Sequence, residues 1–160
     1  MKKACKILVI ANLAILVVIS LFCFHNAGLD IDGICEECSA GTSTTFFGAT
    51  ILFIIQAIAA VLMYRQMRDL KQAEDYQSMF IMPFANIMPA LIQMGLFSSS
   101  PDAGGHGDFT EKALFELKLL DVQFVTAVVL NAVLIAVNIA IFVTSVCVYR
   151  QAGKGKTEGQ

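Results

Sequence analysis

VQFVTAVVLNAVLIAVNIAIFVTSVCVY, residues 122–149, runs for 28 residues without a charged side chain. A helix needs about 20 apolar residues to cross a hydrocarbon core of about 30 Å, so this stretch can span with tilt or protrusion. A membrane strand would need only about 10 residues in alternation, and this run is continuously apolar. Immediately upstream, Asp108 followed by Glu111 forms a capping-box pattern. From there Ala113, Leu117, Leu120 and Phe124 recur at helical spacing. The helix is therefore expected to begin well outside the membrane, and 109–149 would reach roughly 60 Å. Downstream, QAGKGKTEGQ (151–160) reads as a disordered tail.

Three further blocks share this character: Ile7–Phe24, Phe46–Tyr64 and Met79–Phe97. The 11 Lys and Arg and the 13 Asp and Glu all fall outside the four blocks. That matters because an ionised group at mid-bilayer costs at least about 2.5 kcal/mol. The expected fold is all-α. It is a polytopic membrane protein with a four-transmembrane-helix bundle whose fourth helix extends on the exterior side. Residues 1–150 make a single domain, with no room for a soluble one. The first block could start a signal peptide, but 18 apolar residues is long for one and no small-x-small site follows; it is expected to be retained.

Lysine and arginine set orientation. Lys2, Lys3, Lys6, Arg65, Arg68, Lys71, Arg150, Lys154 and Lys156 flank one side, against Lys112 and Lys118 on the other. Both termini and the 65–78 loop are therefore expected in the cytoplasm, with 25–45 and 98–121 outside or in a lumen. The 25–45 segment reads as irregular, and the formal net charge of -2 says little about partners.

The interiors of the blocks carry the amides Asn12, Gln56, Asn86, Gln93, Asn131 and Asn138. Asn86 and Gln93 are seven apart, as are Asn131 and Asn138, so each pair shares a helix face. Amides facing lipid leave hydrogen bonds unmade, so they are expected to point inward and bond across helices. Ala132, Ala136, Ala140 and Thr144 form a ladder of small residues that permits close backbone approach. Both features read as packing faces, within the bundle or against a partner subunit or second copy. Pro83 and Pro89 are expected to kink the third helix.

Cys35-Glu36-Glu37-Cys38 is the most specific local motif. It admits a structural disulfide, a redox dithiol opposed by its two acids, or a metal site completed by His25 and His106. The motif and topology resemble the four-helix disulfide-generating quinone reductases of the bacterial inner membrane, which would make Cys35 and Cys38 catalytic. Those enzymes carry a second exterior cysteine pair and an arginine near the quinone. Residues 98–121 contain no cysteine, and no arginine falls on the outer side. In architecture the chain is also similar to claudin-like tetraspan proteins, which have cytoplasmic ends and a disulfide in the first exterior loop. Their loop tryptophans have no counterpart in a chain with no tryptophan.

Cys5 and Cys147 sit near the expected cytoplasmic boundary as lipidation candidates, and Cys23 reads as a buried thiol. The methionines of the third block read as packing. Asp30-Ile31-Asp32-Gly33 lacks the later residues of a calcium loop. No phosphate loop or nucleophile–base set is evident, so neither a cofactor nor a metal is expected, and no nucleic-acid partner. The leading expectation is a non-enzymatic subunit that packs laterally in a larger membrane complex. A thiol–disulfide oxidoreductase and a small oligomeric transporter or pore are the alternatives.

Overall fold

The computed structural model describes the backbone of residues 2–26, 36–69, 79–98 and 111–157, and the side chains of 3–21, 45–68, 79–98 and 122–151. Among the described residues the chain is all-helical: α1 spans Lys2–Asn26, α2 Glu36–Asp69, α3 Met82–Ser98 and α4 Glu111–Thr157. Among the described residues, α1 packs on α2 and α4, and α3 packs on α2 and α4, while the two diagonal pairs do not meet. The helices thus form a four-cornered bundle. Its register is antiparallel around the ring, as Asn86 with Asn138, Asn12 with Asn138 and Gln56 with Asn86 show.

α1, α2 and α4 are each long and apolar enough to cross a membrane, over Lys3–Leu21, Thr45–Arg68 and Val122–Gln151. Their outward faces carry large apolar side chains, including Ile7, Leu21, Phe47, Ile58, Val125 and Val143. Such a surface suits lipid, because exposed apolar area of this extent on a water-soluble domain is a liability.

Helix ends differ from the limits read from the sequence. α2 starts at Glu36, ten residues before the second apolar block, so the second half of the segment read as irregular is helical. α4 continues to Thr157, so 151–157 of the tail read as disordered are helical too. The physical reason is common to both. Nucleation is the costly step in helix formation and propagation is nearly neutral, so an established span carries its helix into flanking residues of poor propensity. The third block behaves oppositely. Residues 79–80 form a 3-10 turn and the α-helix begins only at Met82. Pro83 therefore lies in the first turn, where its missing N–H has no intrahelical acceptor to lose, and Phe84 N donates to Ile81 O at 3.1 Å. Of the two prolines, only Pro89 interrupts the helix interior.

The interior is layered. Buried residues on α4 fall at 124, 127, 131, 134, 138, 141, 145 and 148, alternating steps of three and four. That is the seam of a heptad repeat, the spacing of left-handed helix bundles. α1 follows the same rule at 5, 9, 12, 16 and 19, and α3 at 83, 86, 90, 93 and 97, with Ser20 and Pro89 buried beside these seams. At one end lie Phe46, Phe97 and Phe124, with ring centroids 5.4–5.5 Å apart in every pair. At the other end Cys5, Met63, Met79, Ile141 and Val148 form a separate buried cluster.

Candidate functional site

The register brings one amide from each helix to one level. Asn138 of α4 is the hub. Its Nδ2 donates to Asn12 Oδ1 of α1 at 2.7 Å and to the Leu134 carbonyl at 2.8 Å. Its Oδ1 accepts from Asn86 Nδ2 of α3 at 3.3 Å. Gln56 of α2 closes the set by donating from Nε2 to the Asn86 backbone carbonyl at 3.2 Å. All four side chains are fully buried.

Pro89 lies within one turn of the acceptor of the last of these bonds. Proline lacks an N–H and its ring crowds the carbonyl one turn earlier. The carbonyl so affected is that of Ala85, and membrane helices accommodate an interior proline through partners on adjacent helices. The Asn86 carbonyl, three residues before Pro89, accepts from Gln56.

Seven residues further along each helix lies a second level, about 10 Å away at 1.5 Å per residue. It contains Ile19, Ala49, Gln93 and Asn131, all buried. Gln93 Nε2 donates to the Ala49 carbonyl at 2.8 Å. Asn131 Nδ2 turns back to the Ala127 carbonyl of its own helix at 2.9 Å. Seven residues the other way lies the level of Cys5 and Ser145, whose Sγ and Oγ are 3.7 Å apart. Asn86 and Gln93 thus share one face of α3, and Asn131 and Asn138 one face of α4, both turned to the bundle axis. Asn12 and Gln56 join them, although no spacing in the sequence ties these two single amides to the pairs.

The alanine ladder of α4 separates from the amides. Ala132 and Ala136 are exposed, and Ala140 and Thr144 are partly so. Thr144 Oγ1 is spent on the Ala140 carbonyl at 2.7 Å and the Ile141 carbonyl at 3.0 Å. The ladder therefore forms a shallow strip on the outer surface of α4, not part of the bundle's own seam.

The cysteines divide in the same way. Cys5 is fully buried, its Sγ 3.7 Å from Ser145 Oγ, whereas Cys147 is partly exposed. Cys35, His25's side chain and His106 lie outside the described residues. Cys38 has helical backbone near the start of α2, but its side chain is outside them as well. Among the described residues no group of three or more His, Cys, Asp or Glu side chains converges as a metal site. The central levels hold neutral amides and no ionisable group, so their chemistry is hydrogen bonding.

No protein-family model matches the chain, and no curated protein or solved structure shows significant similarity to it.

Proposed function

We propose that the protein is a four-span, non-enzymatic membrane subunit that packs laterally against other membrane proteins through the outer face of α4. One observation carries the reading. The amides Asn12, Gln56, Asn86, Gln93, Asn131 and Asn138 are buried inside the bundle, while Ala132 and Ala136 of the close-approach strip are exposed and Ala140 is partly so. Helices in lipid gain little from apolar burial, so association relies on small residues that let backbones approach.

A fourth span at α3 is supported by its register. Asn86 lies level with Gln56 and Asn138, deep in the spans of α2 and α4, Gln93 bonds Ala49 within the α2 span, and residues 79–98 carry no charge. Both termini in the cytoplasm agree with the nine flanking Lys and Arg on that side. α4, 47 residues long, measures about 70 Å and would then project beyond the outer membrane face.

The test is extraction of the tagged protein from native membranes in mild detergent, followed by native sizing. The expected result is migration in a larger assembly, from which Ala136→Leu releases a folded monomer. Migration of the wild-type protein as a lone monomer under every gentle condition overturns the proposal.

A further inference from the structure

The orientation of each interior amide is fixed by what its NH2 group must reach. Gln56, Gln93, Asn131 and Asn138 each donate to a backbone carbonyl. A carbonyl accepts only, so none of these four amides can be flipped. Asn138 then fixes the other two: Asn86 must donate to its Oδ1, and Asn12 must accept from its Nδ2. What remains is determined. At the central level, Gln56 Oε1 and Asn86 Oδ1 are buried acceptors and Asn12 Nδ2 a buried donor, with no partner among the described residues. At the next level, Gln93 Oε1 and Asn131 Oδ1 are two buried acceptors in the same condition.

We propose that each of these two levels is a binding site for one internal water molecule. A water donates two hydrogen bonds and accepts others. The central level offers two acceptors and one donor, and the second level two acceptors. Buried waters bind otherwise unpaired polar groups in this way, with about three hydrogen bonds each. A polar group without a partner is costly wherever bulk water is excluded. Both sites are closed from the bundle ends, on one side by Phe46, Phe97 and Phe124 and on the other by Cys5, Met63 and Met79. The waters therefore sit at two separate levels and do not form a continuous file.

The competing ligand for a surplus of amide oxygens is a monovalent cation. The Asn12 Nδ2 donor disfavours it at the central level, because an N–H dipole points its positive end at the ligand.

The experiment is water-edited solid-state NMR of the full chain, 15N-labelled at Asn and Gln, in deuterated lipid bilayers. Magnetisation from water is expected to reach the Asn12 and Asn131 side-chain amides at short mixing times, despite their depth. Asn86→Leu should abolish the transfer to Asn12. Gln93→Met, which touches only the second level, should leave transfer to Asn12 intact and abolish it at Asn131, so the proposal stays testable if Asn86→Leu does not fold. Sharp Asn12 and Asn131 amide signals with no transfer from water would overturn it. So would amide shifts that change when sodium is exchanged for potassium or choline, since the ligand would then be a cation.

Discussion

Replacing Asn138 by leucine removes the hub of the central level while keeping the number and branching of the side-chain heavy atoms. Asn138 makes two interhelical bonds, to Asn12 at 2.7 Å and from Asn86 at 3.3 Å. Interhelical side-chain bonds in membrane proteins average only about 0.6 kcal/mol, so the bonds alone account for roughly 1 kcal/mol. The larger effect is what leucine strands. Asn86 Nδ2 and Asn12 Oδ1 stay fully buried, and a buried polar group that loses its partner costs about 1–3 kcal/mol. We expect Asn138→Leu to destabilise the bundle by about 3 kcal/mol in all. That is about a hundredfold in the folding equilibrium, at 1.4 kcal/mol per tenfold. Reversible unfolding in bicelles, followed by steric trapping, measures it.

The decisive comparison is the triple variant Asn12→Leu, Asn86→Leu and Asn138→Leu. Removing every member at once leaves nothing stranded among the three, so its stability should lie within about 1 kcal/mol of wild type. Asn131→Leu is the comparison at the second level: it loses no direct interhelical bond, only one to its own helix, and should cost less than Asn138→Leu. The reasoning is refuted if Asn138→Leu costs less than about 1 kcal/mol, or if the triple variant costs the sum of the three single ones.

Two further outcomes follow from burial. Phe124→Ala removes one ring of the buried aromatic triangle with Phe46 and Phe97 and should cost about 3–5 kcal/mol, whereas Phe47→Ala, on the outward face of α2, should change stability in the same assay by less than about 1 kcal/mol. In a variant with Cys23, Cys35 and Cys38 replaced by serine, a membrane-permeant maleimide should label Cys147 in the native protein and reach Cys5 only after unfolding, and labelling of both at equal rates would contradict the burial of Cys5 beside Ser145.

Much of the fold is legible in the sequence because hydrocarbon sets a length and excludes charge, and both are countable along a chain. The helix ends are not, because propagation past the apolar block is decided by fractions of a kcal/mol per residue. Glu36 and Thr157 mark ends that no composition shift announces. The shared faces of Asn86 with Gln93 and of Asn131 with Asn138 follow from a spacing of seven. Which amide meets which does not, since it requires the register between helices. The outward placement of the ladder was in principle available. Ala132 follows Asn131 by one residue, about 100° around the helix, and steps of four turn 400° and drift away from a seam of period 3.5. A ladder at four-residue steps therefore cannot share the amide face for long.

The same periodicity shows what the amides contribute beyond stability. In a bundle whose seams repeat every seven residues, sliding one helix by a heptad keeps every apolar residue buried and changes little in packing. Apolar contacts alone would leave such registers nearly degenerate, and lipid supplies no hydrophobic penalty to separate them. Polar residues at seam positions remove the degeneracy, as a buried asparagine does in coiled coils. α3 and α4 each carry two amides seven apart, so a slip by one heptad leaves one amide on each helix facing an apolar level. α1 carries only Asn12, and a slip of seven would let it meet Asn131 in place of Asn138. Two features oppose that slip: Cys5 would leave Ser145, and Asn138 would lose its acceptor on α1. The α3–α4 pair is thus joined by the Asn86–Asn138 bond at one level and carries buried amides on both helices at the next, and the α1–α4 pair by one amide and one thiol–hydroxyl contact, which makes α1 the helix whose placement depends most heavily on a single residue, Asn12.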